Sequence, residues 1–322
     1  MPARTGKRKR ATLRELSAIT GLSTAAVSYA LRGQRVSPET QRRVRDAAER
    51  IGFRSDPIAR ALRGGRTELV GVVGGSLDDL WHQQFVAALQ PALRSHGLRM
   101  VLADAGGDPG AELDVAADLA DRRVDGLIVL PLAPATPGWR SIAAATPTVS
   151  VNASLPDAAG SIRFDSARGI ELALGHLRER GHERVIVLGG GPHAVPRRPG
   201  VRRVRCGPSA AEACAAATVA LERDPGRTAM FCLSDTIACG VYEACAQLGR
   251  SIPRDLSVVG FDDIPVARLL RPALTAVGWD TPRAAVAAAE MLAGVIGGEP
   301  AADVVIEPDL RIRRSTGTIG RR

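Results

Sequence analysis

From residue 69 onward the chain alternates short apolar runs with longer amphipathic stretches, and few folds accommodate that alternation. The runs are LVGVV at 69–73, LRMVLA at 98–103, GLIVL at 126–130, TVSV at 148–151, RVIVLG at 184–189, AMFCLS at 229–234 and LSVVGF at 256–261. Between them, stretches such as QFVAALQPALRSHG and RGIELALGHLRERG carry helical periodicity and end at glycine, the residue that closes a helix at least cost. Strand, helix, strand repetition implies parallel sheets with helices on both faces. Division into two such units near Ser161–Asp165 would make residues 67–322 a two-lobed α/β clamp, with a ligand held between the carboxyl ends of the strands.

Residues 1–66 are of another kind. They hold 16 Lys or Arg against 5 Asp or Glu, a net +11, whereas the rest of the chain holds 27 against 29. A basic head on a near-neutral body points to a polyanion partner for the head alone. MPARTGKRKR, residues 1–10, lacks apolar residues and is expected to be a disordered basic arm. Thr12 and Glu15 then form a Thr-x-x-Glu capping box, with Leu13, Leu16 and Ile19 as the first helix's buried face. Gly21 allows a sharp turn and Leu22 plugs the joint. Ser23 caps a second helix from about Thr24 to Leu31, with Val27, Ala30 and Leu31 turned inward. Ser37-Pro38-Glu39 starts a third, whose stripe is Val44, Ala47, Ala48 and Ile51.

Three small helices around so small a core predict a helix-turn-helix domain over residues 11–55, its second helix lying in the major groove of DNA. Thr24, Ala25 and Tyr29 would then face the bases, while Thr12, Ser23, Ser28 and nearby arginines grip phosphates. A tyrosine that simply packs on the first helix is the other reading of Tyr29. Residues 56–66, with ARALRGG at their heart, read by themselves as an ordinary helix end.

Enzyme signatures are missing. No Gly-x-Gly-x-x-Gly follows a strand, and neither a P-loop nor Gly-x-Ser-x-Gly occurs. The five cysteines, Cys206, Cys214, Cys232, Cys239 and Cys245, form no Cys-x-x-Cys pair and have no histidine at zinc spacing, so most are expected to be small buried hydrophobes. No cofactor, no metal and no catalytic residue is expected. No apolar run reaches the ~18 residues of a membrane span, and the amino end carries charge without an apolar core. The expectation is a cytoplasmic protein with no membrane partner. A small-molecule receptor without a DNA role is the competing class, and the basic head speaks against it.

Residues 11–66 resemble the lactose-repressor-like (LacI/GalR) family of bacterial regulators, through TLRELSAITGLSTAAVSYALR and GFRSDPIARALRGGRT. That resemblance implies a hinge helix over 56–66 that forms on DNA and pairs across a dimer. Leu62 would wedge into the minor groove with Ala59 beside it. Arg32 and Pro57 depart from the family pattern. In the body, RRVDGLIVLP, HLRERGHERVIVLGG, CLSDTIACGVYEACAQLG and IPRDLSVVGFDDIPVARLLRPALTAV are similar to the family's effector domain, itself like periplasmic sugar-binding proteins. Carried across, Asp79, Trp81, Asn152, Phe164, Asp165, Ser234, Asp235 and Asp262 become candidate effector contacts.

The segment PHAVPRRPGVRRVRCGP, 192–208, is shorter than the family's and omits a helix bearing a ligand-binding arginine; Arg197 or Arg198 would stand in. Pro208 stands where an aromatic is frequent, and Trp279 where glutamine is common. With aromatics only 3% of the chain, the pocket is expected to be poorly equipped for sugar stacking and the effector site altered. The resemblance as a whole implies a homodimeric repressor that binds a near-palindromic operator in double-stranded DNA. A small molecule, a carbohydrate or something related, would modulate it. The short polar tail RIRRSTGTIGRR offers no tetramerising heptad.

Overall fold

The computed structural model describes residues 11–31, 33–53, 65–190, 195 and 197–319. The chain divides into two compact units, the boundary lying between Thr67 and Glu68.

In the first unit, α1 (Leu13–Thr20), α2 (Thr24–Leu31) and α3 (Pro38–Arg50) enclose a core of Leu16, Val27, Ala30, Val44, Ala47 and Ala48. Eight-residue helices are marginal alone, so caps and packing hold them. Thr12 Oγ1 accepts the Glu15 N–H at 3.2 Å and the Glu15 carboxylate accepts the Thr12 N–H at 2.7 Å. Gly21, at φ 65°, stops α1 in the left-handed conformation, and Ser23 Oγ accepts the Ala26 N–H at 3.2 Å to start α2. Arg43 of α3 donates to the Thr20 carbonyl at 3.1 Å, tying the third helix to the end of the first.

One expected core residue is not there: Ile19 is 54% exposed. With 3.6 residues per turn, Leu13, Leu16 and Thr20 share one face and Ile19 lies about 90° from its centre. Thr20 takes the inward place, its hydroxyl satisfied by the Leu16 carbonyl at 2.7 Å.

The second unit holds two six-stranded sheets. The first, in the order β11-β5-β4-β3-β1-β2, is built from β1 (Leu69–Gly74), β2 (Arg99–Asp104), β3 (Gly126–Leu130), β4 (Thr148–Val151), β5 (Gly160–Phe164) and β11 (Val304–Ile306), all parallel. The second, in the order β12-β10-β9-β8-β6-β7, is built from β6 (Val185–Leu188), β7 (Val201–Val204), β8 (Ala229–Cys232), β9 (Ser257–Asp262), β10 (Thr275–Gly278) and β12 (Asp309–Arg311); only β12 runs antiparallel. The helices are α4 (Leu80–Ser95), α5 (Pro109–Asp121), α6 (Gly138–Ala145), α7 (Ser166–Glu179), α8 (Ala210–Arg223), α9 (Asp235–Gln247), the short α10 (Val266–Leu269) and α11 (Thr281–Ile296).

The chain crosses between the sheets three times. It leaves the first sheet after β5, since α7 packs on the second sheet. It returns after β10, because α11 packs on α4 and on β3, β4 and β5. It crosses finally between β11 and β12. The cysteines are free, and only Cys232 and Cys245 are fully buried; Cys206, Cys214 and Cys239 are half-buried. Among the described residues, no helix is long and apolar enough to cross a membrane.

Candidate nucleic-acid interface and interlobe cleft

In the first unit, the opening turn of α2 is accessible: Ser23, Thr24 and Ala25 are exposed, whereas Ser28 and Tyr29 are half-buried. Thr12 and Ser23 spend their hydroxyls on backbone caps, which fixes the helix ends and leaves both side chains on the surface. Arg35, in the turn after α2, sets its guanidinium 5.3 Å from the Tyr29 ring centre and donates to the phenol oxygen at 3.4 Å. That contact holds the ring against the turn by cation–π attraction. Arg14, Arg42, Arg43, Arg45 and Arg50 are exposed on the neighbouring helices. Ala59 and Leu62 lie outside the described residues.

The second candidate lies where strands of both sheets end. Asp79 caps α4, its Oδ1 accepting the N–H groups of Trp81 at 2.8 Å and His82 at 3.2 Å. Asn152 follows β4 with φ 74°, and Phe164 is the last residue of β5. Asp262 ends β9 with φ 100° and its Oδ1 accepts the Trp279 indole N–H at 3.2 Å. Together with Ser166 and Phe261, the residues Trp81, Asn152, Phe164, Asp262 and Trp279 line a cavity of about 30 Å³. Burial, and then the charge of Asp79, push the Asp262 carboxyl up to about 7, with the Trp279 hydrogen bond opposing them.

Of the nine effector candidates, the structure brings Trp81, Asn152, Phe164 and Asp262 onto this cavity and sets Asp79 within electrostatic reach of Asp262. The others take different places. Asp165 caps α7 by accepting the Arg168 N–H at 2.9 Å, and Ser234 caps α9 by accepting the Ile237 N–H at 3.2 Å. Asp235 is wholly buried, its Oδ2 held by the Ile264 N–H at 2.8 Å, and burial raises its pKa well above the ordinary value. Such a group fixes a loop. Arg197 is exposed on the segment before β7, and Arg198 is committed to Glu171 of α7.

The expected shortage of aromatic rings is corrected. Six of the chain's ten aromatics form one connected run through the cleft: Phe85, Trp81, Phe164, Trp279, Phe261 and Phe231. Composition failed as a guide because it averages over the chain, and the few rings present are concentrated in one place. Ring centres along the run are 5.1 to 5.9 Å apart. Sequence reasoning noted Trp279 only as an oddity and did not single out Ser166 or Phe261. Their signal was position: each lies beside a strand end or a crossing. The cleft is thus filled by the protein's own side chains, far below the ~300 Å³ of an ordinary small-molecule pocket. A larger open groove of about 500 Å³ runs beside β7 and α8, with Arg202, Arg205, Glu212, Val219 and Arg223 on its walls. None of the sequence candidates lies there.

Comparison with known proteins points to one family. Residues 67–198 match the family profile for periplasmic binding proteins and the sugar-binding domain of the LacI family, and residues 174–316 match that for periplasmic binding protein-like domains. Among curated proteins, the HTH-type transcriptional regulator PtxS of Pseudomonas putida is 28% identical over 98% of each chain. The maltose regulon regulatory protein MalI of Escherichia coli is 28% identical over 82% of this chain and 89% of its own. Among solved structures, the lac repressor dimer bound to operator and the anti-inducer ONPF superposes with a TM-score of 0.84, at 24% identity over 96% of this chain and 100% of that one. The transcriptional regulator CelR in complex with cellobiose gives 0.68, at 25% identity over 95% and 100%.

Proposed function

The chain belongs to the LacI family of transcriptional regulators, and on that footing we propose that it is a homodimeric repressor whose basic unit reads a near-palindromic operator in double-stranded DNA. The observation that carries this reading is the opening turn of α2, with Thr24 and Ala25 exposed on a helix pair fixed by Gly21 and surrounded by exposed arginines. Inserted in the major groove, Thr24 would exchange a hydrogen bond with a base edge and Ala25 would offer a methyl contact, while Thr12, Ser23, Ser28 and the arginines set the register on phosphates. Tyr29, steadied by Arg35, would present its ring edge at the same surface. Ala59 and Leu62 keep their proposed place in the minor groove. Two copies related by a twofold axis would read half-sites about one helical turn apart.

The interlobe cleft is the proposed effector site, with Trp81, Asn152, Phe164 and Asp262 as contacts and Asp79 beside them. Asp165, Ser234 and Asp235 would act through the loops they fix. A relative of similar fold is solved with cellobiose, whereas a cavity of about 30 Å³ admits no sugar until the lobes part or Trp279 moves. We read the site as an altered one, on the shortened 192–208 segment and the place of Trp279 in the cavity wall. Effector and DNA would be coupled ligands of one opening equilibrium, each changing the other's affinity by the same factor. We read the protein as a cytoplasmic regulator, not an enzyme, because the relatives it matches are regulators.

The test is selection of bound sequences from random duplex DNA with the purified full chain. An enriched inverted repeat is the expected result. No enrichment at moderate ionic strength, with or without small molecules, would overturn the proposal.

A further inference from the structure

Two features of the cleft favour a charged ligand over a neutral sugar, and a third gives the ligand's other end a partner. The first is the arrangement of rings at the cavity. Trp81 meets Phe164 edge-on at 5.1 Å and Phe164 meets Trp279 at 70° and 5.2 Å, and all three rings line the cavity. Aromatic rings attract cations, ammonium groups above all. The second is charge. Asp262 lines the cavity within electrostatic reach of Asp79, and among the described residues none that lines it is basic. Arg311 and Arg313 are engaged with the neighbouring Asp263, at 2.5 Å each. The third is a donor: the Trp81 indole N–H has no hydrogen-bond partner, although Trp81 is only 7% exposed.

We propose that the interlobe cleft binds a small organic cation carrying a hydroxyl, its ammonium head caged by Trp81, Phe164 and Trp279 with Asp262 as counter-ion. The proposal rests on the reading of this cleft as the effector site. An acceptor on the ligand satisfies the Trp81 N–H, and the positive head takes up the Asp262 carboxylate. Burial first, and then the charge of Asp79, raise the Asp262 carboxyl, and a cation beside it would favour the charged form. Asp262 Oδ1 now accepts the Trp279 N–H. A cation therefore competes with Trp279 for that oxygen, and because the cavity has room for only a few waters' volume, entry moves the indole. Trp279 stands between β10 and α11, where the chain returns to the first sheet, so the ligand's charge is read directly at a crossing.

The full chain is titrated with choline and with 3,3-dimethylbutan-1-ol, its uncharged carbon isostere, by tryptophan fluorescence and calorimetry. Choline is expected to saturate the fluorescence change, with the isostere at least about tenfold weaker. Asp262→Asn, which preserves shape, is expected to weaken choline about tenfold while the isostere is unchanged. Equal binding of the two compounds, or binding of neither, overturns the proposal. Operator affinity measured in parallel separates it from the effector reading. Choline that binds without altering operator affinity leaves the cation site standing and removes its regulatory role. A hexose that shifts operator affinity where choline does not keeps the regulatory role and removes the cation.

Discussion

Asp262 carries several unfavourable circumstances at once. Its φ of 100° is outside the regions comfortable for a side chain, and its half-buried carboxyl lies within electrostatic reach of Asp79. Residues held this way persist only where their surroundings over-determine them. A pH dependence follows from the raised pKa. Folded Asp262, at about 7, keeps a proton that the unfolded chain has released above about pH 4. Its contribution to stability is therefore complete below about pH 4 and is lost as pH rises through about 7. Asp262→Asn stays neutral throughout. Denaturant melts should show the variant gaining on the wild type between about pH 4 and 7 and level above; a gap independent of pH would contradict the assignment. At the other end of the chain, Thr12→Ala removes one half of a capping box and is expected to lower the stability of the first unit by about 1 kcal/mol in thermal melts. Caps were readable from sequence because the hydroxyl and carboxylate stand at fixed spacing. Trp279 was not readable as a cleft residue, since nothing local distinguishes a ring that packs across a crossing from one in a core.

Among elements, most of the legible strands are buried on both faces, and the exception, the exposed edge strand β2, was legible because it keeps an apolar run. GLIVL and TVSV coincide with β3 and β4, and the other five runs overlap β1, β2, β6, β8 and β9 to within two residues. Five strands escaped. β7 reads VRRV because it is an edge strand, paired only with β6 and half-exposed; arginine on an unpaired edge also discourages association with another sheet. β11 and β12 span three residues each, too short for a periodicity, and β5 and β10 begin on or include small polar residues that mimic turns. Helix contacts show a similar blindness. Gly240 of α9 sits so close to α8 that an added Cβ would lie 2.3 Å from the Ala210 carbonyl oxygen and 2.7 Å from Ala213 Cβ. Gly240→Ala, which helix propensity alone would favour, is expected to destabilise the second unit by about 1–3 kcal/mol. Urea unfolding of the variant decides which effect wins.

For the molecule as a whole, charge asymmetry was the clearest sequence signal and bears on the most easily measured property. With +11 on residues 1–66, operator affinity should fall linearly in log–log form with salt, at a slope of about −0.9 for each phosphate neutralised. Arg42→Gln and Arg45→Gln, both at exposed positions of α3, are each expected to reduce that slope by about 1 with little change in base preference. Anisotropy titrations across a salt series measure both quantities, and an unchanged slope would place these arginines off the DNA. The sequence suggested one division near 161–165, whereas the path of the chain makes three, because β11 and α11 return to the first sheet from far along the sequence. That interlacing governs how such a gene can be shuffled. The first lobe draws on residues from β1 to β5 and again from α11 to β11, so no uninterrupted piece of coding DNA specifies either lobe. A recombination breakpoint between α7 and β10 would marry one parent's β1 to β5 with the other's α11 and β11, forcing unmatched surfaces together inside a single core. Inheritance from mixed parents is thus tolerable at the margins of the body and penalised within it.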